Sequence, residues 1–232
     1  MCGRVRLPED YSEIKIDLKL HEVVPHTYVP RWNVPPTESL PVITSKDGHR
    51  RLEPMRWGLI PSWAKDAKIG FSSFNARADS VDTKGAFKGA WAKGRRCLIV
   101  TAGFYEWKKL DPAGKQKQPY AVALGNRGPM LMAGLWEPWK SPDGWIRSCT
   151  IITTDANELV ANVHDRMPVI LGPDDYAAWL GEVPANDNGL KAMLRPYPAE
   201  RITIWPVDRR IGNVKNEGPE LAEPLAPGEA FV

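Results

Sequence analysis

A chain of 232 residues with 43% hydrophobic and 25% charged residues has enough apolar material for one large domain with a real core. Its net charge of +3 is too mild to mark a nucleic-acid binder by itself. The N-terminus lacks the basic and apolar regions of a secretory signal, and no run approaches the roughly 18 apolar residues of a membrane helix. A cytoplasmic protein without membrane attachment is therefore expected.

Along the chain, YSEIKIDLKL (11–20) is ambiguous: Ile14, Ile16, Leu18 and Leu20 alternate like a strand, while Tyr11, Ile14 and Leu18 also suit a helix. Runs rich in β-branched and aromatic residues predict strands over 40–45, 50–57, 96–107, 118–125, 129–136, 145–154, 167–171 and 201–207. SKDGHR, LDPAGK and SPDG punctuate them as turns. Helices are fewer. The stretch 80–93 places Phe87 and Trp91 four apart on one face; 155–163 opens with Asp155 three residues before Glu158, like a capping box; 173–181 has an acidic first turn and a closing Gly181. No repeat appears, and the 22 prolines are scattered rather than gathered into a linker. The expected fold is α+β: a single domain over 1–232 around a curled, largely antiparallel, barrel-like sheet with short peripheral helices, and an irregular tail from about 219.

Three widely spaced cysteines, Cys2, Cys97 and Cys149, contain no CxxC pair and indicate neither a disulfide framework nor a zinc site. No metal and no cofactor is expected. Cys97 and Cys149, in RRCLIV and IRSCTIIT, read as core thiols. Cys2 stands at the first position that survives removal of Met1. With Met1 gone it carries a thiol and a free α-amine on neighbouring carbons, a 1,2-aminothiol. An α-amine with a reference pKa of about 7.7 to 8.0 is partly neutral near pH 7 and attacks an aldehyde to give an imine. The adjacent thiolate then closes onto the imine carbon as a five-membered thiazolidine. The same pair fits an N-terminal nucleophile hydrolase, whose thiol attacks an amide with its own amine as base, and a packed, inert thiol is the plain alternative.

Glu106 lies in GFYEW, where a strand sends Tyr105 and Trp107 to one face and Glu106 to the other. It either points to water or occupies a low-dielectric cavity that raises its proton affinity, and the run CLIVTAGF before it favours the cavity. His164 closes the stretch 155–163, where it fits a helix C-cap or a proton carrier near neutral pH. Asn75 and Arg77, in FSSFNARADS, fit a turn and a surface ion pair with Asp79; alternatively the amide holds a sugar hydroxyl and the guanidinium forks onto phosphate. Trp57 and Trp63 fit a core, though an exposed Trp63 would stack on a nucleobase. Lys84, Lys88, Lys93, Arg95 and Arg96 form an acid-free basic run, either a solvated helix face or a phosphate-facing patch. His21, His26 and His49 show no ligand spacing and receive no role.

These stretches together resemble the SOS response-associated peptidase (SRAP) family. The resemblance rests on MCGR, RWNVPPT (31–37), RWGLIPSWAKD (56–66), FNARAD (74–79), FKGAWAKGRRCLIVTAGFYEWKK (87–109), IITTDANELVANVHDRMPVIL (151–171) and IGNVKNEG (211–218), in order over nearly the whole chain. It implies a sensor of abasic sites in single-stranded DNA that crosslinks itself to the lesion through Cys2 as a thiazolidine, shielding it from strand cleavage. By matching motif, Cys2 is the nucleophile, Asn75 orients the amine or sugar, Glu106 handles protons around the amine and the ring-opened sugar, and His164 acts as acid/base on the deoxyribose. Arg4, Arg77 and Thr153 look like phosphate or pocket contacts, and Pro36 and Trp63 like guides for the strand. There is one departure: where some relatives carry a basic residue and an apolar wedge, this chain has Gly85 and Ala86, leaving Lys84 and Lys88 as candidates for the charge.

Three functions fit: covalent capture of abasic sites, which is favoured; a thiol peptidase whose substrate is a peptide bond such as the one after Met1; and a noncatalytic single-strand binder. Met1 is expected to leave through an aminopeptidase or by self-processing. The implied partner is abasic single-stranded DNA, bound by a monomer, with nucleoid association while it is on DNA.

Overall fold

The computed structural model describes residues 2–24 and 28–226; Met1, His26 and the last six residues lie outside them. In chain order the elements are β1 (Val5–Arg6), α1 (Ser12–Asp17), β2 (Glu22–Val23), β3 (Ser39–Lys46), β4 (His49–Trp57), β5 (Asn75–Arg77), α2 (Lys88–Ala92), β6 (Arg96–Thr101) and β7 (Gly103–Lys109). There follow β8 (Lys117–Leu124), β9 (Met130–Ser141), β10 (Gly144–Asp155), β11 (Arg166–Pro168), α3 (Pro173–Leu180), α4 (Asp187–Ala192) and β12 (Ile202–Pro206).

The antiparallel path β10-β9-β6-β3-β4 returns on itself, because β4 pairs in parallel with β10 at Arg56↔Ser148 and Trp57↔Cys149. This closes a five-stranded barrel. Alternation along the strands sends Val42, Met55, Trp57, Cys97, Ile99, Met132, Cys149 and Ile151 into one buried cluster. Ile43, Leu52, Leu98, Leu131, Ala133 and Ile152 join a second, with Phe87, Trp91, Trp179 and Leu190 from the helical segments. Cys97 and Cys149 are fully buried, as their runs implied, and burial raises both thiols. No helix among the described residues is long and apolar enough to cross a membrane.

A second sheet, β1-β7-β8-β12, stands beside the barrel. The run 96–107, expected as one strand, is divided between the two: β6 stays in the barrel and β7 leaves it. The break falls at Gly103, whose φ of +156° and whose missing Cβ, 2.4 Å from the Val122 carbonyl oxygen if present, allow the chain to change sheets. Beyond Cys149, β10 exchanges β4 for β5, pairing Ile151↔Asn75 and Thr153↔Arg77. Its last residues pair with β11, Thr153↔Pro168 to Asp155↔Arg166. One end of β10 is thus flanked by the segments that carry Asn75 and His164.

Four local expectations resolve differently from their simplest reading. The stretch 11–20 becomes α1, with Ile14 and Leu18 buried one turn apart and Asp10 accepting from the Ser12 amide at 2.8 Å. The helix expected over 155–163 is only a 3₁₀ turn, Val160–Asn162, since Asp155 still belongs to β10 and Asn157 is the residue that accepts from the Val160 amide, at 2.9 Å. The helix over 80–93 shrinks to α2; its stretch includes Gly85 and Gly89, poor helix formers, though Phe87 and Trp91 are buried as their spacing implied. The described part of the tail, 219–226, opens with a 3₁₀ turn over Pro219–Ala222 and is anchored, with Leu221 buried and the Leu225 amide donating to the Pro206 carbonyl at 3.0 Å.

After β4 the chain makes a surface loop over 58–73. Its neck is closed by the Leu59 amide on the Ser73 carbonyl (3.3 Å), the Ser73 hydroxyl on the Leu59 carbonyl (2.5 Å) and the Ile60 amide on Ser148 Oγ (2.8 Å). Gly58 begins it at φ +130°, where a Cβ would sit 2.4 Å from the Gly70 carbonyl oxygen. Gly58→Ala is expected to destabilise the protein by about 2 kcal/mol or more in urea unfolding, and by clearly more than Gly48→Ala. Gly48 shares the positive φ but has open space around its Cβ position, so equal losses at the two sites would contradict the backbone clash.

Candidate active site

The N-terminal segment is held along both edges. On one side β1 pairs with β7, Val5↔Phe104, and the Tyr105 amide donates to the Arg4 carbonyl at 3.0 Å. On the other, Val5 and Val34 exchange two backbone hydrogen bonds, of 3.1 and 2.9 Å, and the Leu7 amide reaches the Arg31 carbonyl at 2.7 Å. Cys2 is wholly buried, and its carbonyl accepts a hydrogen bond from Asn75 Nδ2 at 2.6 Å. Asn75 therefore grips the backbone of residue 2 itself.

Arg4 adds a further tie. Its Nη1 donates to Asn33 Oδ1 and to the Ile211 carbonyl (2.7 Å), its guanidinium lies 5.7 Å from the Trp107 ring centre, and it is 9% exposed. Asn33, fully buried, passes its Nδ2 hydrogens to the Asn213 and Asn216 carbonyls, both at 2.9 Å. Glu217 completes the junction by accepting from the Arg31 Nε at 2.7 Å. RWNVPPT and IGNVKNEG are thus two halves of one clamp on the N-terminal strand. Nothing in either stretch alone announces it, because the partners are about 180 residues apart.

Glu106 comes from β7, opposite Tyr120. Strand alternation turns Tyr105 toward Val207, Ile211 and Leu221, and leaves Glu106 on the other face, 3% exposed. It occupies the buried position of the two that the sequence leaves open. Burial, with Asp165 adding to it, lifts its pKa from 4.5 to about 7. Burial also raises the Cys2 thiol, and the neighbouring Glu106 charge is the second cause. In this packed state the thiol holds its proton at neutral pH.

His164 lies with Nε2 4.0 Å from Glu106 Oε2. Its Nδ1 accepts from the Arg166 amide at 3.0 Å and is also 2.9 Å from the exposed Asp165 carboxylate. The two contacts belong to different protonation states, since Nδ1 cannot accept from the amide and donate to the carboxylate at once. Burial lowers the imidazole pKa, which favours the neutral ring with its proton on Nε2, the nitrogen facing Glu106. Asp165 is positioned to receive the ring when it becomes doubly protonated.

The remaining candidates spread outward. Asn75 and Arg77 are two apart on β5 and so point the same way; Arg77 is exposed, its fork on Asp79 with Nε 3.0 Å from Oδ2. Thr153 is fully buried, its hydroxyl on the Ala76 carbonyl at 3.4 Å, which places it in the floor between β5 and β11. Arg166 is nearly buried and ties that floor together, bonding Asp155 and the Thr153 carbonyl, each at 2.6 Å. Trp63 stands 64% exposed on the 58–73 loop, which also carries a similarly exposed Phe71. Pro36 is half-buried just past Val34. Lys84 and Lys88 are exposed beside Phe87, which packs into the helix-side core, a different cluster from the one holding Cys2. Gly85 has open space at its Cβ position, and Ala86 packs against that same helix-side core.

Proton binding at Glu106 is linked to folding. A carboxyl near 7 when folded and near 4.5 when unfolded holds more protons in the folded state between those values. Its stabilising contribution is full below the unfolded value and is lost as pH rises through the folded one. The stability of wild type relative to Glu106→Gln is therefore expected to fall by about 3 kcal/mol between pH 4 and pH 8 in urea unfolding. A pH-independent difference would contradict the raised carboxyl.

The family model for SOS response associated peptidase (SRAP) matches residues 1–214. The chain is 39% identical over 225 residues to the abasic site processing protein YoqW of Bacillus subtilis, covering 96% of this chain and 99% of that one. It is 33% identical over 247 residues to the abasic site processing protein HMCES of Rattus norvegicus, covering 90% and 68%. Among solved structures, a protein from Bacteroides thetaiotaomicron superposes with a TM-score of 0.85 at 23% identity, covering 97% of this chain and 100% of that one. A Bordetella bronchiseptica protein does so at 0.74 and 26%, covering 89% and 100%. With the motifs in order, the barrel in common and the family match running from the first residue almost to the tail, this chain belongs to the SRAP family.

Proposed function

We propose that this protein captures abasic sites in single-stranded DNA by a covalent bond through Cys2, once Met1 has been removed. The observation that carries the reading is the Asn75 hydrogen bond to the Cys2 carbonyl, which holds residue 2 within the electrostatic reach of Glu106, itself beside His164. Relatives named as abasic site processing proteins supply the electrophile: the C1′ aldehyde of the ring-opened deoxyribose.

The chemistry runs in two bond-forming steps. His164, with its proton on Nε2, moves the proton between the sugar's ring oxygen and its open form. The freed amine of Cys2 attacks C1′, and the resulting hydroxyl leaves as water when protonated by Glu106, giving a protonated imine. The thiol then gives its proton to the carboxylate, and sulfur bonds C1′ to close the thiazolidine. One water is released per crosslink. A carboxyl with a pKa of about 7 serves both transfers at neutral pH. Asn75 holds the carbonyl so that amine and thiol face the same carbon. Arg77 takes a backbone phosphate, Trp63 stacks on a base, and Pro36, Lys84 and Lys88 guide the strand. Phosphate contacts without base-edge readout make binding sequence-independent and strongly salt-dependent. Arg4 serves this reading as the anchor of the N-terminal strand. The word peptidase in the family's description fits a self-processing step at Met1, and until that bond is cut the amine is an amide that cannot form the imine.

Incubation with an oligonucleotide carrying one abasic site, followed by denaturing electrophoresis, tests the reading. A heat-stable adduct is expected from the processed wild type and none from Cys2→Ala. Glu106→Gln is expected to slow its formation by about 10²-fold at neutral pH. No adduct from a chain shown by mass to begin at Cys2 would overturn the reading; wild-type speed in Glu106→Gln would remove that residue from the proton transfers.

A further inference from the structure

The guanidinium of Arg77 is not waiting empty. In the turn that follows β5, the Ser80 amide donates to the Arg77 carbonyl at 3.2 Å and the Ser80 hydroxyl holds Asp79 Oδ1 at 2.9 Å. The turn presents the Asp79 carboxylate to the Arg77 fork, with Nε 3.2 and 3.0 Å from its two oxygens and Nη2 on Oδ2. Both side chains are about half exposed, 52% and 53%, so the pair sits in solvent at the surface where Asn75 also points. A carboxylate engaged this way satisfies the same planar fork that a phosphodiester would use.

We infer that Asp79 is a built-in competitor of DNA phosphate for Arg77, an autoinhibitory contact that lowers resting affinity for nucleic acid and is released when the strand docks. The inference rests on the proposed role of Arg77 as a phosphate contact. Two further acids feel this arginine electrostatically, Asp155 and Asp165. Asp155 is held by Arg166 at 2.6 Å and Asp165 lies against His164 at 2.9 Å. Of the three, Asp79 is the one bonded to Arg77. Because the competing bond forms within a four-residue turn, no other part of the molecule need move: the carboxylate leaves the fork and the phosphate enters. An exposed pair of this kind is weak, so the restraint is modest, about two- to five-fold in affinity. It acts on binding and leaves the covalent step alone.

The test is a double-mutant cycle on equilibrium binding of an undamaged single-stranded oligonucleotide, read by fluorescence anisotropy for wild type, Asp79→Asn, Arg77→Ala and the double variant. Asp79→Asn is expected to bind about two- to five-fold tighter, and that gain is expected to vanish when Arg77 is already alanine. Its capture rate at saturating abasic DNA is expected to match wild type. A gain that persists in full without Arg77 would mean general charge removal and overturn the inference, as would unchanged or weaker binding by Asp79→Asn with an unaltered thermal midpoint. If wild type forms no abasic adduct, covalent capture fails, while the four affinities still decide the role of Asp79. If the adduct forms and the two substitutions simply add, the competitor fails alone.

Discussion

A single hydrogen bond, from Asn75 Nδ2 to the Cys2 carbonyl, sets where residue 2 lies, and the remaining architecture makes that bond possible. Chain termini fray unless they are tied down. Here the terminus enters as a strand with both edges occupied, by β7 on one side and the Val34 segment on the other. Behind it, Arg4 and the fully buried Asn33 fasten the strand to residues 211–216. Asn75 in turn is fixed because β5 runs alongside the far half of β10, the barrel strand whose near half closes on β4. Barrel closure and the grip on residue 2 are therefore consequences of one long strand changing partners at its midpoint.

The electrostatics follow from the same burial. Burial disfavours every charged form, so the Glu106 carboxyl and the Cys2 thiol move up while the His164 imidazolium moves down. All three groups are pushed toward neutrality at physiological pH, a state in which protons pass between them without creating buried, unpaired charge. Exposed Asp165 adds to the rise at Glu106. Asp79 and Asp155 have no part in that rise; with Asp165 they are the acids whose charge reaches Arg77.

Much of this was legible before any coordinates. The thiol at position 2 was conspicuous by place alone, and a lone carboxylate between aromatics after an apolar run marked Glu106. What escaped were contacts across large sequence distances: the Asn33 clamp links residues about 180 apart, and no local pattern carries that information. Register was equally hidden. The motifs carrying Arg4 and Thr153 do not show that Arg4 is buried beside Trp107 or that Thr153 is fully buried between β5 and β11. The expected helix at 155–163 fails because Asp155 continues a strand that tertiary pairing extends, leaving Asn157 to accept from the Val160 amide. Gly103, by contrast, is readable in the sequence: a glycine inside a strand run marks a bend or a close backbone approach.

The claim that ties fold to function is that Asn75 acts by placing residue 2, and the most direct measurement is the capture rate of Asn75→Ala across abasic-DNA concentrations. The account predicts a maximal rate roughly 10- to 100-fold below wild type, with the half-saturating DNA concentration little changed. A wild-type maximal rate with weakened DNA binding would contradict it and make Asn75 a contact for the strand instead.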